Sequence, residues 1–164
     1  MSKTKITFIQ TGGTIDKDYP RSTGGWAFEF GEPATHRILS NVETSFKYEI
    51  VTICQKDSLE INDEDRELMF RFIRDHKGKR YIITHGTDTM IDTALYLGEK
   101  IKKELVIITG AMRPERFKDS DAPLNLGCAI GGVNTLKKGV YVCMNGIIKP
   151  FDKIERDLET GMFF

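Results

Sequence analysis

Arg80-Tyr81-Ile82-Ile83-Thr84-His85-Gly86-Thr87-Asp88-Thr89-Met90 carries the chain from a short apolar run into a cluster of polar residues. The run does not alternate between apolar and polar positions, which fits a strand buried on both faces of a sheet. Thr87, Asp88 and Thr89 then stand where a helix should begin, with Ile91, Ala94, Leu95, Gly98 and Ile101 on its inner face and an expected end near Lys103. A buried strand delivered through a hydroxyl-rich turn into an amphipathic helix is the repeating unit of an α/β fold.

The pattern recurs along the chain. Lys5 to Thr11, Tyr48 to Cys54, Leu105 to Thr109 and Gly139 to Cys143 read as further strands. Asn62 can cap a helix whose first turn carries Asp63, Glu64 and Asp65, whose buried stripe is Leu68, Met69, Phe72 and Ile73, and whose negative end carries Arg74, His76 and Lys77 with Gly78 after it. Another helix is expected from near Pro123 to Leu136. The prediction is one three-layer α/β domain over residues 1–164 with a mostly parallel sheet. In such a sheet the carboxyl ends of the strands share one edge, where Thr14, Thr87 and Asp88 can meet. Between Ile15 and Pro33 the chain carries Pro20, Gly24, Gly25 and Gly31 and no period, so a lid over that edge is expected.

Composition narrows the partners. Lys plus Arg and Asp plus Glu are 24 each, so no net field favours nucleic acid or an anionic membrane, and a small polar substrate fits better. The apolar stretch Ile6 to Ile9 is too short for a signal peptide, and no run approaches a membrane span, so a cytoplasmic protein is expected. Cys54, Cys128 and Cys143 are far apart in apolar settings and read as reduced thiols. His36, His76 and His85 are scattered without ligand spacing, so no metal is expected. The nucleotide patterns GxxxxGK[ST] and GxGxxG are absent, and so is the Gly-x-Ser-x-Gly of α/β-hydrolases.

The strand ends themselves suggest chemistry. Gly12 and Gly13 allow a tight turn that brings a ligand close to main-chain N–H groups, with the Thr14 hydroxyl beside them. Capping the next helix accounts for one polar residue among Thr87, Asp88 and Thr89, not for three. An ionised Asp88 can hold an ammonium group, which leaves Thr87 for a polar group or a water. Ser58 can donate to a carboxylate, and the Gly110-Ala111 backbone can offer its own polar groups.

Taken together, TGGTI at 11–15, ITHGTDTM at 83–90 and TGAMRP at 109–114 resemble the bacterial L-asparaginase family, over nearly the whole chain but only as that family's amino-terminal domain. The resemblance implies an amidohydrolase acting through an acyl-enzyme on asparagine and sometimes glutamine, without metal or organic cofactor, and assembled as a homo-oligomer, dimer or tetramer. It implies Thr14 as nucleophile, with Thr87 and Asp88 as the second threonine and its neighbouring aspartate, and Asp88 on the substrate's α-amino group. Asp57 to Asn62 resembles the loop that takes the substrate carboxylate, with Ser58 as donor, and Gly13, Gly86 and Ala111 would line the pocket. Departures accompany the match. Phe28 stands where the family's loop tyrosine is expected, and Tyr19 on the same loop is the candidate substitute. The family's lysine near the second threonine is matched without gaps by Arg156, a guanidinium that accepts no proton at neutral pH, with Lys153 nearby as the alternative relay. Leu59 replaces a polar loop residue, and longer members continue into a second domain that completes a neighbour's site. A small-amino-acid-binding module, or an amidase dependent on a partner, is therefore the alternative expectation.

Overall fold

A computed structural model describes residues 4–20, 22 and 24–164. Among the described residues, eight strands, β1 Lys5–Gly12, β2 Lys17–Asp18, β3 Glu29–Phe30, β4 Lys47–Lys56, β5 Arg80–Thr84, β6 Leu105–Thr109, β7 Gly139–Met144 and β8 Ile147–Pro150, are joined by four α-helices, α1 Ala34–Ser40, α2 Asp63–Asp75, α3 Met90–Lys100 and α4 Ala122–Val133. Six strands form one sheet in the order β4-β1-β5-β6-β7-β8, parallel except where β8 returns along β7, and β2 pairs with β3 in a separate hairpin.

The continuous apolar strands are buried on both faces because each face has its own helical layer. Ile9, Tyr81, Ile83, Val106 and Ile108 pack with Met69 and Ile73 of α2 and with Met90, Ala94 and Leu97 of α3. The intervening Phe8, Ile82 and Ile107 pack against Leu39 of α1 and against Leu126, Ala129 and Val133 of α4. The chain leaves β1 for β4 on one side and then crosses back to β5 on the other. This switch opens a crevice at the carboxyl ends of the central strands, where ligands of open α/β sheets bind.

The five expected strands and three expected helices form, with local corrections. α3 stops at Lys100, short of the expected Lys103, because Ile101 turns extended and the Lys102 Nζ takes the Gly98 carbonyl at 2.6 Å. α4 begins at Ala122 with Pro123 in its first turn and stops at Val133 rather than Leu136. Leu68 and Leu95, expected to face the core, are 52% and 41% exposed. Each lies at the margin of its helix's apolar stripe, and the sheet covers only the centre. The segment expected to form a lid carries a short two-stranded hairpin, the flap: a 3-10 turn at Thr14–Asp16 leads into β2, and β3 returns ahead of α1. α1 and β8 were not expected from periodicity. The Asn145-Gly146 pair, with φ of 53° and 82°, is the hairpin signal that announces β8.

Candidate active site

Four strand ends converge. Gly13 has φ 79° and ψ 178°, a conformation essentially reserved for glycine, and a Cβ there would collide with the backbone of Gly86. A Cβ on Gly86 would in turn strike the Ser58 side chain. The turns after β1, β4 and β5 are therefore stacked in backbone contact, secured by the Gly13 N–H donating to the Lys56 carbonyl at 2.9 Å. The turn after β6 joins from α4's side: Asn125 donates to the Gly110 carbonyl at 3.0 Å, and the Met112 N–H donates to the Asp121 carboxylate at 3.0 Å. Ala111, buried there, packs with Ile15, Ala34 and Ala122.

The hydroxyls at this edge differ in use. Thr11 donates to the Thr84 carbonyl at 2.8 Å, Thr109 to the Cys143 carbonyl at 2.8 Å, and Thr89 to the Ser58 carbonyl at 2.6 Å. Each of these fastens one strand end to another. Thr14, half-buried, and Thr87, 8% exposed, engage no partner through their hydroxyls among the described residues, although both sit in the stacked turns. Thr89 is the N-cap of α3 but makes no side-chain cap bond, so capping does not account for the polar cluster at 87–89.

Asp88 is half-exposed. One carboxylate oxygen accepts from Arg156 Nη1 at 3.1 Å, the other lies 3.5 Å from the Ser58 Oγ, and its N–H donates to that Oγ at 3.3 Å. Arg156 also donates to the Thr87 carbonyl at 3.0 Å and to the Gly161 carbonyl at 3.3 Å, and its guanidinium lies over the Phe163 ring. Lys153 is not brought to this group. Its side chain is 71% exposed, with Asp152 at 3.8 Å, because residues 151–153 turn outward after β8 and the chain re-enters only at buried Ile154. Arg156 takes the place beside Thr87.

On the flap, Tyr19 and Phe28 are both partly exposed, in a ring cluster with Phe30 and Phe117. The Phe28 ring carries the Lys17 ammonium 4.1 Å above its centre. Lys17, whose significance the sequence did not disclose, also pairs with Asp57 at 2.7 Å, and Asp57 accepts the Leu59 N–H to cap the Ser58 turn. That ammonium holds the Asp57 carboxyl below the usual carboxylate range. Asp16, which closes the 3-10 turn that Thr14 opens, was likewise missed. It is buried; Oδ1 accepts the Ala34 N–H at 2.8 Å, and Oδ2 has no hydrogen-bond partner among the described residues. Burial pushes its carboxyl up to about 6, against the Ala34 N–H, the Gln10 amide and the Arg37 charge.

The opposite edge of the sheet holds a hollow of about 400 Å³ lined by Lys77, Lys79, Arg80, Lys103 and Lys138. These cations cluster where α2, α3 and α4 end and answer the negative ends of the helix dipoles, so they need no anionic ligand to explain them. The stacked turns remain the candidate site.

An open sheet with free hydroxyls and a carboxylate at its carboxyl edge defines a small-ligand crevice of the α/β class. The chain belongs to the asparaginase family, matching the model described as "Asparaginase, N-terminal" over residues 5–154. It is 34% identical over 152 residues to the probable periplasmic L-asparaginase of Haemophilus influenzae, covering 85% of this chain and 42% of that protein. It is 32% identical over 148 residues to a component of the glutamyl-tRNA(Gln) amidotransferase of Archaeoglobus fulgidus, covering 86% of this chain and 34% of that one. The thermostable L-asparaginase of Thermococcus kodakarensis superposes with a TM-score of 0.83 at 27% identity, over 93% of this chain and 47% of that chain. The chain thus spans less than half the length of these relatives. No helix among the described residues is long and apolar enough to cross a membrane.

Proposed function

We propose that this chain carries an asparaginase-type amidohydrolase site acting on L-asparagine, or on glutamine, with Thr14 as nucleophile. The observation that carries this reading is the pair of unengaged hydroxyls, Thr14 and Thr87, in turns packed backbone to backbone while their neighbouring threonines are fastened into the sheet. The Thr14 oxygen bonds to the side-chain amide carbon, the C–N bond breaks, and the hydroxyl proton leaves on ammonia. Water then cleaves the ester, which yields the acid and restores Thr14. Thr87 hands on the proton and Tyr19 assists from the flap. Asp88 and Ser58 hold the amino acid's ammonium and carboxylate. Gly13, Gly86 and Ala111 line the pocket, and the backbone N–H groups near Gly13 and Ala111 face the developing oxyanion.

Ammonia release from asparagine by pure protein tests this. Thr14→Ala should abolish release while aspartate binding, read by calorimetry, persists; release at the wild-type rate from Thr14→Ala would rule Thr14 out. A homo-oligomer, dimer or tetramer, belongs to the same reading, and a monomer in sedimentation velocity at micromolar concentration would count against it.

One observation favours a second reading. Arg156 cannot accept the proton that Thr87 must pass, and it already neutralises Asp88. An amino-acid-binding module, or an amidase completed by a partner as the Archaeoglobus relative's name suggests for that protein, follows if aspartate binds and asparagine does not turn over.

A further inference from the structure

His85 follows β5 directly and is wholly buried, yet both its ring nitrogens are engaged. Nδ1 lies 2.8 Å from the Gly86 carbonyl, and Nε2 lies 2.9 Å from Oγ1 of Thr93, itself buried on α3. Thr93 Oγ1 is 3.1 Å from Nε of Arg66 on α2. The partners dictate where the protons sit. A carbonyl only accepts, so Nδ1 carries hydrogen. A guanidinium only donates, so the Thr93 oxygen accepts from Arg66 and its own hydrogen is directed to a bare Nε2. Burial, with the Arg66 charge adding to it, pushes the His85 imidazole down to about 4 and keeps it neutral at ordinary pH.

The consequence reaches the site through one peptide group. Nδ1–H fixes the Gly86 carbonyl, and in a trans peptide the following N–H, that of Thr87, points the opposite way. Arg66 is anchored at its other end: Nη1 meets Asp63 at 2.7 Å and Nη2 lies 3.5 Å from the Ile61 carbonyl, on the stretch that leads from the Ser58 turn into α2. We propose that Arg66, Thr93 and His85 are positioning residues that act in series, setting the Gly86–Thr87 peptide and coupling it to the segment that follows Ser58. The proposal rests on Thr87 and Asp88 forming the ligand-binding turn.

Nitrogen-15 NMR of the wild-type chain tests the relay without requiring turnover. His85 should be neutral with its hydrogen on Nδ1 and unchanged from about pH 5.5 to 8; an Nε2–H tautomer, or titration in that range, overturns the relay. Thr93→Val keeps the shape and removes the hydroxyl. With the Gly86 carbonyl still holding the hydrogen on Nδ1, it should shift the Nε2 resonance toward that of a nitrogen with no hydrogen-bond donor and weaken aspartate binding about tenfold, and Thr93→Ser should restore both. A lowered melting temperature with unchanged affinity would give the series a purely structural role and overturn it. If Thr93→Val fails to fold, Arg66→Met is read by the same two measurements. A wild-type chain that binds neither aspartate nor asparagine would sink the functional reading, and the tautomer would then decide the relay alone.

Discussion

Threonine and arginine define the candidate site by what each can do with a proton. A free hydroxyl is a weak nucleophile that needs a base. Beside Thr87 the structure supplies a guanidinium, held over Phe163 and shared between a carbonyl and Asp88, in place of an amine that could accept. Arg156→Lys keeps the cation near Asp88 and adds a group able to exchange a proton. It should raise ammonia release from asparagine by about tenfold or more, toward the 10²–10⁴ typical of a positioned acid–base group. An unchanged rate would mean that proton transfer at Thr87 does not limit the reaction. The resemblance of motifs made Thr14, Thr87, Asp88 and Ser58 legible. It could not choose between Arg156 and Lys153, because reach depends on how the chain turns after β8. Lys17 and Asp16 were silent for a related reason, since their partners Asp57, Phe28 and Ala34 are distant in sequence.

Among the elements, the flap is fastened by residues distant in sequence. Its hairpin has two-residue strands, and Lys17 ties it to the Ser58 turn through Asp57, with a second link from Arg116 to Asp18 at 3.4 Å. The Lys17 side chain is 13% exposed, so this pair is less screened by solvent than an open surface bridge. Lys17→Met keeps the stem but loses the charge. It should speed limited proteolysis within residues 19–28 while leaving far-UV dichroism unchanged; an unaltered cleavage rate would show that the Lys17–Asp57 pair does not hold the flap. The sheet and the longer helices were readable because burial on both faces leaves continuous apolar runs, and burial on one leaves a 3.6-residue stripe. α1 is only two turns long, too short to establish a period, and β8 was announced by nothing except its turn.

At the scale of the whole molecule, two buried groups shift in opposite directions. Asp16 binds its proton more tightly folded, at about 6, than unfolded near 3.8. Its contribution is therefore full below about pH 4 and is lost as pH rises through 6. His85 binds its proton more weakly folded, at about 4, than unfolded near 6.5, so its contribution is full above 6.5 and is lost as pH falls through 4. Asp16→Asn removes the first dependence. Relative to wild type, that variant should gain stability as pH rises from 4 to 8, by roughly 3 kcal/mol over the span, measured by denaturant unfolding. A parallel pair of curves would show that Asp16 stays ionised in the fold. Near pH 5 the chain therefore takes up about one proton at Asp16 as it folds and gives up about one at His85, and the exchange nearly cancels. The number of protons exchanged on unfolding at that pH, read from the heat in acetate and in a buffer with a large ionisation enthalpy, should differ by about one between wild type and Asp16→Asn. Remove the Asp16 carboxyl, and the same calorimeter should register the proton that His85 takes up as the chain unfolds.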